Sequence, residues 1–152
     1  MEQLGATLVQ TDAIRKRLFV QPTYSRTESA AVYREAHRLI RVGLGAGKVV
    51  IFDATNLREA YRRAVYRIAE RAGAVVCPVW LSTPEAIVAQ RLHQRQLSRD
   101  PSDLSDATWA IYRKMAPRAQ APQRPFTVLN ATLPADEQVA VLQRLMSLQA
   151  HC

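Results

Sequence analysis

The sequence predicts an α/β fold of three layers, α-β-α, with a mainly parallel sheet. Three observations carry that expectation. Apolar runs of strand length alternate with amphipathic stretches of helical period along the 152 residues. Residues 49–52 are apolar at every position, as suits a strand covered on both faces. Two of the apolar runs lead directly to an acid, Asp12 and Asp53, and ligands of open parallel sheets gather at the carboxyl ends of strands.

The elements follow in order. Residues 7–10 form a short apolar run, and residues 12–18 read as a short helix. A loop with Pro22 comes next. Ser25 and Glu28 have the spacing of a capping box, and Ala31, Val32, Ala36, Leu39, Ile40 and Leu44 continue at helical spacing. The glycines at 43, 45 and 47 stop that helix. After the strand at 49–52, Asn56 and Glu59 repeat the cap spacing, with Asn56 read as the helix cap. Ala60, Tyr61, Ala64, Val65, Ile68, Ala69 and Ala72 trace the buried stripe, and Arg58, Glu59, Arg62, Arg63, Arg67 and Glu70 lie outside it.

Residues 74–81 read as a second buried strand. Thr83-Pro-Glu opens a helix with proline at its first turn, which carries Arg91 and Arg95. Residues 97–105 read as a polar, mobile stretch, and residues 106–115 as a helix whose Trp109 and Tyr112 face the core. A proline-containing linker covers 116–125. A strand at 126–129 and a helix at 137–148 close the chain. The whole is expected to be one domain, 1–152, with a lid around 91–105.

Composition narrows the class. Hydrophobic residues make up 48% of the chain, which is globular and not disordered. Charges interrupt every apolar stretch before membrane-spanning length, so no membrane partner is expected. The two cysteines make no disulfide framework, and no histidine or cysteine pair has zinc spacing. A reducing, cytoplasmic setting is the expectation. The formal charge of +8 is permissive for a phosphorylated partner or nucleic acid. Its arginines are scattered along helices and not gathered in one run, which argues against duplex binding.

Taken singly, Asp12 and Asp53 could each be only a cap. Their pairing, with Arg15 one helical turn after Asp12, suggests more. Asp12 could accept a hydroxyl proton, Arg15 could grip a phosphate with two parallel hydrogen bonds, and Asp53 sits where magnesium is held. Thr55 and Asn56 would line the substrate. Arg91 and Arg95, four apart on one helical face, suit a lid that brings positive charge over phosphates, with Arg99 beside them; a solvated basic face has the same spacing. The stretch Gly43-Leu-Gly-Ala-Gly-Lys48 has the wrong context for a phosphate loop. It follows a helix, precedes a strand, and has Val42 and Val49 where a glycine and a hydroxyl residue belong.

Residues 10–16 (Gln-Thr-Asp-Ala-Ile-Arg-Lys), residues 51–56 (Ile-Phe-Asp-Ala-Thr-Asn), the helix with Arg91 and Arg95, and residues 106–112 together resemble the polynucleotide-kinase-like P-loop kinases. This group includes small bacterial AAA-type ATP-binding proteins and is related to zeta-toxin and gluconate kinases. The resemblance implies a P-loop NTPase-like fold, ATP and Mg2+ as cofactors, and transfer of a phosphoryl group to a hydroxyl of a nucleic-acid end or small metabolite. It makes Asp12 the general base, Arg15 the substrate-phosphate contact, Asp53 the magnesium-site acid, and Arg91 or Arg95 the lid arginine.

The family opens with a strand, a Gly-rich loop ending in Gly-Lys-Ser or Gly-Lys-Thr, and a helix. This sequence has no counterpart, and Gly5 reads as the stop of that helix. The expectation is a shortened chain, impaired as it stands, whose missing central strand falls between those at 49–52 and 74–81. The two neighbours would close directly, take a strand from another chain, or belong to a longer gene product. A non-catalytic, degenerate domain that binds a partner or nucleic acid, dimerising through the sheet gap, is the alternative.

Overall fold

The computed structural model describes residues 5–98 and 103–149. The elements are β1 (Thr7–Gln10), α1 (Thr11–Leu18), α2 (Arg26–Gly45), β2 (Val50–Asp53), α3 (Glu59–Arg71), β3 (Val79–Ser82), α4 (Glu85–Ser98), α5 (Trp109–Met115), β4 (Thr127–Asn130) and α6 (Ala135–Gln149). The chain forms two compact units. One holds the residues up to Asn56 together with 60–74; the other holds Leu57–Glu59 and the residues from Val75 onward.

In the first unit β1 and β2 are parallel neighbours, with Thr7 opposite Val50 and Gln10 opposite Asp53. Parallel strands need a crossover, and α1 and α2 provide it. The helical stripe read in α2 is buried at Val32, Ala36, Ile40 and Gly43. Val9 from β1 and Ile14 from α1 meet it, and these apolar side chains are 0–4% exposed. Each large apolar side chain so buried contributes roughly 1.5–3 kcal/mol relative to exposure. The exposed Arg38–Glu35 pair on the outer face of α2, 2.7 Å apart, is solvent-screened and contributes little. Burial of the α2 stripe, not surface pairing, decides this unit.

Both ends of α2 follow from the sequence. Ser25 Oγ accepts from the Glu28 N–H at 3.2 Å, which is half of a capping box. The other half is redirected. The Glu28 carboxylate accepts from the backbone N–H of Thr23 at 2.9 Å and of Tyr24 at 2.7 Å. At the far end the Gly47 N–H reaches Leu44 O at 2.9 Å and the Lys48 N–H reaches Gly43 O at 3.0 Å. Gly47 has φ +69°, a left-handed turn that glycine adopts without strain. The glycine-rich stretch is therefore a helix stop. It leads into the amino end of β2, at the opposite end of the strand from Asp53.

Helix α3 departs from expectation in two ways. It starts at Glu59, three residues after Asn56, so Asn56 is not its cap. Asn56 instead takes φ +41°, a left-handed conformation that asparagine tolerates better than most residues. The expected stripe is also rotated. Tyr66, Ala69 and Arg62 are buried, while Tyr61 is 50% exposed. Arg62 can be buried because its guanidinium donates to Asn56 O at 2.6 Å, meeting the demand that buried polar groups be hydrogen-bonded.

In the second unit β3 and β4 pair in parallel, Val79 opposite Thr127 and Ser82 opposite Asn130. The expected buried strand at 74–81 is corrected. Only Val79–Ser82 is strand, and Val79 and Leu81 are 37% and 63% exposed. Among the described residues β3 pairs with β4 alone. Residues 97 and 98, expected in a mobile stretch, are the last of α4. Helix α5 starts at Trp109, later than expected, because Thr108 caps it, accepting from the Ile111 N–H at 3.3 Å. A 3-10 turn at Ala116–Arg118 follows it. Trp109 and Tyr112 are not core: α5 has no buried residue, and the two rings stack on each other, centroids 5.3 Å apart at 15°.

Candidate active site

The carboxyl edge of the β1–β2 pair collects the acids. Asp53 is the last residue of β2 and stands opposite Gln10, the last of β1. Gln10 Nε2 donates to Asp53 Oδ2 at 3.1 Å, and Thr11 Oγ1 donates to Asp53 O at 3.4 Å. Asp12 follows in the first turn of α1, where a carboxylate is favoured by the helix dipole. Both acids are thus at one edge of the β1–β2 pair. Asp53 is exposed and Asp12 half-buried.

Arg15 lies in the corner between α1 and α2. It is 7% exposed, pairs with Glu28 at 3.5 Å, and lies over the Tyr24 ring, 4.4 Å from its centroid. Its Nε is buried and has no hydrogen-bond partner among the described residues. Glu28 is the hub of this corner. Hydrogen bonds from the Thr23 backbone, with those of Tyr24 and the charge of Arg15, hold its carboxyl below the ordinary glutamate range. Tyr24, at φ +56°, is held in an unusual conformation by the same carboxylate.

Thr55 is exposed after Asp53, and Asn56 is half-buried, with its Oδ1 buried and without a hydrogen-bond partner among the described residues. A residue the sequence reading passes over joins them. Tyr33, on α2, receives the Asn56 backbone N–H and feels the charges of Asp12 and Arg15; burial, the largest influence, pushes its hydroxyl up. Its only sequence signal is its spacing to His37, one helical turn on, whose ring it meets edge-on at 6.1 Å.

Arg91 and Arg95 belong to the second unit. Arg91 is exposed, and Arg95 pairs through its Nε with Asp103. Arg99 lies outside the described residues. No helix of the described residues is long and apolar enough to cross a membrane.

A magnesium ion prefers one or two carboxylates and keeps several waters and phosphate oxygens as its other ligands. The exposed carboxylate of Asp53 at a strand end fits that demand. No cluster of three or more His, Cys, Asp or Glu among the described residues forms an all-protein cage. The Gly43–Lys48 turn, at the other end of β2, supplies no phosphate cradle at this edge.

The strands, their parallel register and the helices between them have the fold of P-loop kinases. An APS kinase of Mycobacterium tuberculosis, solved with AMPPNP and APS, superposes with a TM-score of 0.68 at 18% identity, over 96% of this chain and 82% of that one. A gluconokinase from Sinorhizobium meliloti superposes at 0.60, again at 18% identity, over 99% and 86%. The sequence pattern of the AAA domain family AAA_33 matches residues 1–122, and the chain belongs to that family. The protein Rv2004c of Mycobacterium tuberculosis is 30% identical over 129 aligned positions, which cover 77% of this chain and 25% of the relative. The chain thus spans about a quarter of the length of the curated relatives it matches.

Proposed function

We propose that this chain is the acceptor-side part of an ATP-dependent phosphotransferase of the polynucleotide-kinase-like kind. It would pass the γ-phosphoryl group of ATP to a hydroxyl of a nucleic-acid end or a small metabolite. One observation supports this above the others: the parallel register of β1 and β2, with α1 starting directly after β1, brings Asp12 and Asp53 to the same carboxyl edge, in a chain of the AAA_33 domain family. Asp12 accepts the proton of the attacking hydroxyl. Asp53 holds magnesium, which when bound neutralises phosphate charge. Thr55 and Asn56 line the acceptor. Arg15 meets an acceptor phosphate through the part of its guanidinium not given to Glu28, and also fixes the α1–α2 connection. Arg91, Arg95 and Arg99 belong to a lid over the nucleotide phosphates, which requires Arg95 to exchange Asp103 for phosphate.

The sequence holds no Gly-Lys-Ser or Gly-Lys-Thr, so the β- and γ-phosphates lack their usual lysine and backbone cradle within it. Calorimetry of magnesium-ATP against this very chain tests the point. Micromolar binding supports a competent nucleotide site. No binding by the folded chain, with no transfer from ATP to any hydroxyl acceptor, counts against catalysis by this chain and supports the second reading.

That reading is a non-catalytic binding domain. The edge of β3 that pairs with no strand among the described residues, with exposed Val79 and Leu81 and exposed Val128 on β4, favours strand addition from a partner or a second copy. Sedimentation velocity across a range of concentrations would reveal a dimer.

A further inference from the structure

Tyr66 of the first unit is buried in the core, but a second group of its rings gathers around Phe52, next to Asp53. Phe52 immediately precedes Asp53 in β2, and its ring meets Tyr33 edge-on, centroids 6.4 Å apart at 80°. The Tyr33 ring also meets Tyr61 at 6.2 Å and 41°. His37 closes the far side of Tyr33. Tyr33 therefore has a ring neighbour on three sides, and its hydroxyl lies near the Asn56 amide. Tyr61, by contrast, is half-exposed on α3. It meets the Tyr33 ring at a tilt and leaves half of its surface accessible.

An exposed tyrosine backed by a clamped aromatic cluster gains little by self-burial. It does offer a pre-ordered face with few rotatable bonds, which is what a planar ligand needs. The cluster is continuous with the acidic edge through Phe52–Asp53 and through Tyr33, which lies within the electrostatic reach of Asp12.

We propose that Tyr61, backed by Tyr33 and Phe52, is the stacking face of an acceptor subsite, and that the acceptor carries a nucleobase. The base lies on Tyr61 while the sugar hydroxyl of the same molecule reaches toward Asp12. This inference rests on the phosphotransferase reading for the role of Asp12, but the stacking face itself makes no use of ATP. An open-chain polyol or hydroxy acid would gain nothing from such a face.

The test is equilibrium binding without ATP, followed by ligand-observed NMR. The probes are adenosine, methyl β-glucoside and gluconate. Adenosine is expected to bind about tenfold or more tightly than gluconate, the size of one base–aromatic stack. Tyr61→Ala should lose roughly that factor and Tyr61→Phe should retain it, since only the ring face is used. Circular dichroism checks that each variant folds. Equal or tighter binding of gluconate or the glucoside overturns the proposal, and so does adenosine affinity unchanged in Tyr61→Ala or absent in the folded parent. Bound adenosine, with no phosphoryl transfer by a form of the protein that binds magnesium-ATP, would sink the phosphotransferase reading and leave the stacking face standing. Transfer to an acceptor that lacks a base, with no adenosine bound, would do the reverse.

Discussion

Gln10 and Asp53 face each other at the last pairing position of the β1–β2 ladder, and the Gln10 amide donates to the Asp53 carboxylate at 3.1 Å. The hydrogen bond leaves most of the lone pairs of Asp53 available, since a carboxylate has about four acceptor positions. Gln10 therefore orients Asp53 without occupying it.

Asp53→Ala should separate stability from metal binding. The residue is exposed, so the unfolding free energy should change by less than about 0.5 kcal/mol. ATP affinity in the presence of magnesium should fall about tenfold, or ~1.4 kcal/mol. In EDTA the variant and parent should match. A calorimetric titration in both buffers decides it, and equal magnesium-dependent affinity would remove Asp53 from the metal site.

Glu28 gives the fold a defined acid sensitivity. The folded state holds its carboxyl below the ordinary value of 4.5, mainly through the Thr23 backbone. Between the lowered value and the ordinary one, the unfolded chain binds more protons, so stability rises with pH. The contribution is complete above the ordinary value and disappears as pH falls through the lowered one. Denaturant midpoints measured from pH 7 to pH 3 should fall over that window. Glu28→Gln should be less stable at neutral pH and show a flatter acid limb. A variant with the parent's acid limb would mean that other carboxylates set it.

How legible this was depended on whether a signal was local. The α2 stripe, the Ser25 cap and the glycine stop were readable because each is fixed by neighbours within one or two turns. The acids at 12 and 53 were readable because an apolar run fixes the strand and the strand fixes its end. Arg62 and Tyr33 were not. Buried Arg62 donates to the Asn56 carbonyl, six residues back in a left-handed turn that no hydrophobic pattern announces. Tyr33 reaches the site through ring contacts with Phe52 and Tyr61, far along the chain. Arg15 and Glu28 each had a signal, a phosphate grip and a cap, but the structure joins them to each other. Residues 74–78 read as strand from apolarity alone, which cannot report that among the described residues β3 pairs with β4 alone.

Gly43 of α2 packs closely against Val50 of β2. A Cβ added there would stand 2.7 Å from Val50 Cγ2, too close for any packed pair. Alanine would gain about 0.5–1 kcal/mol in helix propensity, while overpacking costs roughly 1–3 kcal/mol. The clash should win. Gly43→Ala is expected to lower stability in urea unfolding, and adding Val50→Ala should recover part of the loss through relief of that one contact. Additive losses in the double variant would place the cause elsewhere.

Asp12→Asn asks whether the half-buried acid of α1 acts as a base. The change keeps shape and hydrogen-bonding reach, and removes charge and basicity. At the helix start it forfeits a favourable dipole contact of about 0.3–1 kcal/mol, so the variant should fold. General-base catalysis is worth roughly a hundredfold to ten-thousandfold, so phosphoryl transfer in the catalytically competent form of the protein should fall by that factor. ATP affinity should stay within about threefold, since Asp12 is assigned to the acceptor and not to the nucleotide. Radiolabel transfer and calorimetry read the two quantities separately. Full turnover in the variant would remove the base from this edge, whereas parallel loss of transfer and of ATP binding would show that Asp12 serves the nucleotide site.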